Sequence, residues 1–283
     1  MGLLAAKIVF SAGFVLAITA AIERLGPRLG TLIAMVPQLA VLSLVFFAIE
    51  QGYAFAAETA FWNIPGMCAT VPVFVGYLVG SRLVPAPRWA SITAGVALGT
   101  VCFVIPAYLL SVIVMPRWAV VPLAVAVCFG TGWIVRRLPD TVPLRRVATG
   151  PLLLAIRAST SVLTVLAVTA LAQFLGPKWS GLVVGFPVNS LPVMVILHVH
   201  YGRDVVKPFI KTFPAGAFGI CLFDLVAWLW LERIGLTLTV VLGYAVALAY
   251  LTVVGWLRYA GSLSPSGGAG TSNALTMPER SAK

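Results

Sequence analysis

Apolar residues in this chain run in long stretches with short polar interruptions, and few of the stretches show the one-sided stripe of a helix packed on a water-facing core. The runs are 8–22, 29–49, 54–79, 89–115, 118–135, 151–174, 181–201, 209–230 and 236–257. Most approach the ~20 residues that a helix needs to cross a hydrocarbon layer of ~30 Å. The pattern predicts an all-α polytopic membrane protein of about nine transmembrane helices. The strands of a membrane β-barrel, at ~10 residues each, are too short to write such runs. Trp89, Trp118, Trp133, Trp179, Trp228, Trp230 and Trp256 fall at or near run ends, where an interfacial aromatic belt belongs. The first run has the length of a signal-peptide core, but it matches 160–172 and is therefore read as a helix of the fold.

That match belongs to a longer one. Leu175 to Gly202, LGPKWSGLVVGFPVNSLPVMVILHVHYG, lies without a gap over Leu25 to Gly52, LGPRLGTLIAMVPQLAVLSLVFFAIEQG, at an offset of 150. Leu-Gly-Pro opens both copies, a basic residue follows (Arg28, Lys178), a proline sits inside each (Pro37, Pro187), and glycine closes both. Upstream, Lys7 faces Arg157 at the same offset. The reading is an internal duplication. It divides the chain into a first four-helix repeat (1–115), a connector helix with a basic loop (116–148), a second four-helix repeat (149–260) and a small, polar, disordered tail (261–283). Five crossings separate each helix of the first repeat from its counterpart, so the two repeats are expected in inverted topology.

Charge sets the expected orientation. Arg24, Arg28, Arg82, Arg88, the loop from Arg136 to Arg146, Arg203, Lys207 and Arg258 fall on one side, and only Lys7, Arg117, Lys178 and Arg233 on the other. The positive-inside rule then puts the N-terminus outside and the C-terminus in the cytoplasm.

Composition narrows the function classes. The chain is 60% hydrophobic and 10% charged, with a mean hydropathy of +1.03, which excludes a soluble domain. A net charge of +11 would suggest nucleic acid in a soluble protein; here the cations sit between apolar runs and read as topology and anionic lipid headgroups. Cys68, Cys102, Cys128 and Cys221 lie singly inside apolar runs and read as free buried thiols, with no metal site. No GxSxG, HExxH, phosphate-binding loop or dinucleotide fingerprint occurs in a fitting context, so neither an enzyme nor a cofactor is expected.

Candidate chemistry lies where the helices are expected to break. A proline inside a helix removes an N–H and opposes the carbonyl four residues back, here Ile33 and Val183. Broken helices at matching positions of inverted repeats point to a midplane transport site, although prolines also kink membrane helices for packing alone. Helices 2 and 7 are thus expected to be proline-broken, with Pro37, Gln38, Pro187, Asn189 and Ser190 around a substrate. Ionisable residues inside apolar runs are costly and mark function. Asp224 is the first choice for a coupling carboxylate, with an ion pair to Arg157 as its structural alternative, and Glu58 the second. Arg157 or Lys211 would meet an anionic group. Lys207 and Lys211, with His198 and His200, make a basic cytoplasmic mouth.

The stretch Gly181-Leu182-Val183-Val184-Gly185-Phe186-Pro187, leading into a helix that ends in His198 and His200, resembles small bacterial inner-membrane proteins of the GlpM-like type. Those are single four-helix units, so the resemblance implies two units fused through a connector and a bacterial inner membrane; it implies no substrate. The first copy departs from the pattern, with Val36-Pro37-Gln38 for Phe-Pro and Glu50 for His. Taken together, the chain is expected to be a proton-coupled secondary transporter or flippase of a small or lipid-linked, anionic substrate. The competing class is a scaffold or assembly partner whose kinked helices only pack against another membrane protein. Membrane lipids are expected partners in either case, nucleic acid in neither, and a homodimer is an open option.

Overall fold

A computed structural model describes residues 2, 4–17, 20, 37–84, 87–138, 151–188, 190–202, 204 and 206–263. Among these, helix is the only regular backbone structure. The helices are α1 (Leu4–Ala17), α2 (Gln38–Glu50), α3 (Tyr53–Leu83), α4 (Arg88–Val112), α5 (Val120–Val135), α6 (Pro151–Val184), α7 (Ser190–Tyr201) and α8 (Val206–Leu263). A single 3-10 turn, Arg117–Ala119, leads into α5. Five helical stretches among the described residues are long and apolar enough to cross a membrane: Tyr53–Leu83, Arg88–Val112, Arg117–Val135, Leu154–Val184 and Val206–Leu257. The chain is an all-α membrane protein. The polar tail from 264 onward and the basic loop 139–150 lie outside the described residues.

Two of the helices are broken by a glycine. Gly176 (φ 67) divides α6 just before Pro177, and Gly235 (φ 77) divides α8. A left-handed φ is open to glycine at no steric cost, so both breaks can be sharp. In α8 the two arms run antiparallel about Gly235, since Phe223 contacts Tyr244 and Gly219 faces Leu251. The remaining positive-φ glycines are Gly52, between α2 and α3, and Gly202, after α7. Those two are 150 residues apart and occupy matching positions of the two sequence copies.

Helix α3 is the axis of the bundle. Over its most apolar stretch 83% of residues are buried, against 22–29% in the other long helices, whose outer faces are left for lipid. The contact of α3 with α4 explains part of this. Gly76 and Gly80 on α3 face Gly95 and Gly99 on α4, and residues four apart share a helix face, so two small-residue grooves meet. A Cβ on Gly95 or Gly99 would lie 3.0 Å from the carbonyl oxygen of Tyr77 or Val73. The backbones touch because neither helix carries side chains there.

Side chains then fill three layers along α3. Near its start, Ala56, Ala57 and Ala60 pack with Val41, Leu44 and Phe47 of α2, Val168 and Ala172 of α6, and Phe223 and Ala227 of α8. Near its end, Val73, Phe74 and Tyr77 pack with Phe103 of α4, Leu191 and Met194 of α7, and Ile210 of α8. On a third side, Phe61, Ile64 and Cys68 pack with Ala124 and Cys128 of α5 and Ala217 and Cys221 of α8. Three of the four cysteines, each from a different helix, therefore share one apolar cluster, and all four are free.

Polar contacts gather at the two ends of α3. At its start, Lys7 pairs with Glu50 at 2.5 Å and donates to Thr169 Oγ1 at 2.7 Å, while Arg117 pairs with Glu58 at 3.1 Å. At its end, Asp204 receives Lys207 at 2.6 Å and Arg82 at 3.8 Å, and Arg88 donates to the Val199 carbonyl at 2.8 Å. Of the cations that sequence assigned to opposite sides, Lys7 and Arg117 are thus found at one end of α3 and Arg82, Arg88 and Lys207 at the other.

Candidate functional site

Pro37 immediately precedes α2, with residues 21–36 before it outside the described residues, and Pro187 lies in the non-helical stretch that precedes α7. The Pro37 carbonyl accepts from Val41 N at 3.1 Å and that of Pro187 from Leu191 N at 2.9 Å, the same bond at the same place in each copy. Prolines that do lie inside helices, Pro65 and Pro72 in α3, Pro106 in α4 and Pro214 in α8, leave them continuous. A proline at the start is favourable because its missing N–H would have no intrahelical partner anyway. The expected loose carbonyl of Val183 is also paired, accepting from Phe186 N at 3.0 Å; Ile33 lies outside the described residues.

The break itself is present in the second copy. Residues 177–184 are helical, 185–188 are not, and α7 resumes at Ser190. This discontinuity lies against the middle of α3. A Cβ on Gly185 would meet the backbone of Gly66, one on Gly181 would lie 2.9 Å from Asn63 N, and Thr70 Oγ1 donates to the Gly185 carbonyl. Helix α2 runs from Pro37 toward the Lys7 end and α7 from Pro187 toward the Arg88 end, so both short helices begin inside the bundle and point apart. Val41, one turn into α2, and Val184, just before the second break, belong to one buried cluster. The α2 N-terminus has no side-chain cap, which leaves its first-turn N–H groups and the positive end of its dipole in the interior.

Asn63, against which the segment before the break packs, also holds the one carboxylate among the described residues that is sunk in the apolar interior of a long helix. Asp224 is 2% exposed, and its Oδ2 accepts from Asn63 Nδ2 at 2.8 Å. Among the described residues no basic nitrogen pairs with it; the alternative of an ion pair with Arg157 lies outside the described residues. Asn63 is ten residues into α3 and Asp224 ten residues before the end of the first arm of α8 at 234, each about 15 Å from the helix end at 1.5 Å per residue. That is half of a ~30 Å hydrocarbon layer. Among the described residues, Asn63 Oδ1 is buried without a hydrogen-bond partner, as are Ser43 Oγ on α2, Ser180 Oγ beside Gly181, and Tyr244 Oη on the second arm of α8. Buried polar groups normally find partners, so each of these atoms could take a hydrogen bond from water or a polar group that reaches it.

The other expected site residues divide. Gln38 opens α2 and Ser190 opens α7, both half-buried, while Pro37 and Pro187 are buried. Asn189 lies outside the described residues. Glu58 is held by Arg117 and by Trp62 Nε1 at 3.2 Å, near the start of α3. The basic mouth is not assembled as expected: His198 is 5% exposed with Nδ1 3.0 Å from the Tyr77 hydroxyl, and Lys207 is paired with Asp204. Lys211 lies instead beside Arg136, in a groove between α5 and α8. Asn63, the partner of Asp224, was absent from the sequence-derived set. Its signal was available, an amide in an apolar run, but the partner is 161 residues away.

No protein-family model matches this chain, and neither a curated protein nor a solved structure is similar to it.

Proposed function

We propose that this protein is a secondary transporter or flippase of a bacterial inner membrane, in which Asp224 exchanges protons as an anionic small or lipid-linked substrate crosses. One observation carries the reading: a buried carboxylate about 15 Å from the end of its helical arm, with a single amide partner and no cation among the described residues, whose partner Asn63 also packs against the segment that leads into a helix discontinuity. Holding a charge there is costly, so its protonation is tied to whether water and substrate reach the site. Asn63 suits both states. Its amide N–H donates to a carboxylate, and on turning over, its unpartnered oxygen accepts from a carboxylic acid. Helix N-termini that start inside the bundle at Pro37 and Pro187 favour negative charge, which supports an anion as the substrate. Gln38, Asn189 and Ser190 would contact it, with Arg157 as a further cationic candidate; Glu58 is left to its ion pair.

The same reading takes the chain as nine crossings, four plus a connector plus four, in inverted repeats descended from a GlpM-like unit. The antiparallel arms of α8, the break of α6 at Gly176 and the matched hydrogen bonds at Pro37 and Pro187 support it. It requires the termini to lie on opposite faces. Reporter tags at Met1 and Lys283 should therefore differ in accessibility in intact cells, the N-terminal one outside. Both tags on one face would exclude an odd number of crossings.

Function is tested in proteoliposomes with a trapped pH dye. Adding anionic metabolites or short-chain phospholipids one by one under an imposed pH gradient should identify a class that accelerates proton movement several-fold over protein-free vesicles. A folded, monodisperse protein that moves no protons with any class would leave the scaffold reading in its place.

A further inference from the structure

A second feature has no part in the Asn63–Asp224 site. Between α5 and both arms of α8 lies a half-open cavity of about 510 Å³ with two cations at one end, Arg136 and Lys211, and no acidic lining residue among those described. Its axis can be read from the helices. Arg136 caps the C-terminus of α5, and Cys128, which also lines the groove, is eight residues or about 12 Å deeper at 1.5 Å per residue. Lys211 lies five residues after the start of α8, about 7.5 Å inward. The walls between are apolar, with Pro214 and Val254. Trp133, stacked under Arg137 at 4.6 Å, is an interfacial aromatic at the same end of α5 and marks the headgroup level. Gly132 keeps the groove open, since a Cβ there would meet only Pro214 Cβ, at 3.9 Å.

We infer that this groove is a binding site for an anionic membrane phospholipid, its phosphate between Arg136 and Lys211 and an acyl chain laid along the apolar wall. Charge complementarity selects the headgroup and the depth of the groove selects a lipid over a soluble anion. The inference depends on membrane placement alone and stands whether or not the protein transports.

The test uses the full-length protein in neutral detergent, titrated with dioleoyl phosphatidylglycerol, with dioleoyl phosphatidylcholine and with glycerol 1-phosphate, and bound adducts counted by native mass spectrometry. Phosphatidylglycerol should bind in preference to phosphatidylcholine. Each Lys or Arg near a membrane surface contributes on the order of a fivefold preference, so Arg136→Gln with Lys211→Gln should weaken phosphatidylglycerol about 25-fold. Gly132→Leu should abolish the site by filling it while both cations remain, and it carries the test should the double variant fail to fold. Equal binding of the two phospholipids, phosphatidylglycerol binding that survives Gly132→Leu, or glycerol 1-phosphate binding as tightly as the lipid would each overturn the assignment.

Discussion

Asp224→Asn is expected to abolish proton-coupled flux while leaving the protein folded. The substitution keeps size and shape, and the amide oxygen at position 224 can still accept from Asn63 Nδ2, now 2.8 Å from the carboxylate. What it removes is the only group in the pair that can take up and release a proton. Stability should change by about 1 kcal/mol or less, on the order of 3 °C in melting temperature for a protein of this length. Flux driven by a pH gradient should fall to that of protein-free vesicles, whereas exchange of substrate for substrate should persist. Asn63→Leu separates positioning from proton transfer. It strips the buried carboxylate of its donor and should destabilise the protein by about 2 kcal/mol or more, because an unsatisfied buried charged group bears its full desolvation cost. Flux in Asn63→Leu should fall in parallel with folding, while Asp224→Asn loses flux with folding intact. Undiminished pH-driven transport by Asp224→Asn would remove this residue from any coupling role.

The contrast between Asp224 and its partner indicates what a single sequence makes legible here. A carboxylate inside an apolar run is conspicuous because lipid tolerates so few, and nothing about its neighbours is needed to single it out. The apolar runs themselves foretold helices close to the observed limits: 54–79 became Tyr53–Leu83 and 89–115 became Arg88–Val112. The gap between the runs 151–174 and 181–201 holds the break at Gly176, where glycine enters a left-handed conformation freely and Pro177 follows. Partners were another matter. His198 looked like one member of a basic mouth because Lys207 and Lys211 are near it in sequence, yet on a helix neighbours in sequence point to different sides, and its side faces Tyr77. Glu58 looked like a coupling group until α5 brought Arg117 beside it. The proline of the second copy, Pro187, does lie in the interruption of the 181–201 run, where its carbonyl accepts the first bond of α7. For His198 and Glu58 the deciding contact joins residues distant along the chain, and an apolar pattern carries no information about which faces meet.

The glycines of the central crossing give the largest expected effect on folding. Gly181 and Gly185 are four apart on the segment that ends in the discontinuity, and Gly66 on α3 lies between them. A Cβ at Gly181 would sit 2.7 Å from Trp62 Cβ and 2.9 Å from Asn63 N, and still closer to the Thr59 carbonyl; at Gly66 it would be 2.9 Å from the Leu182 carbonyl oxygen. Three of these four obstacles are backbone atoms, which cannot swing aside as a flexible side chain would. Even Gly181→Ala must push two helices apart, and overpacking of a close contact costs on the order of 1–3 kcal/mol. Gly181→Leu should exceed that and yield no monodisperse protein on size exclusion. Gly130→Ala is the control, since a Cβ there meets nothing within 4 Å, and its melting temperature should match the wild type. Gly181→Ala also reaches the chemistry: Asn63 is one of the atoms it displaces, and Asn63 holds Asp224. Coupled flux in Gly181→Ala should therefore fall by more than its loss of folded protein accounts for. Wild-type melting by Gly181→Leu would mean that the segment after Pro177 does not lie on α3, and the site built on that contact would fall with it.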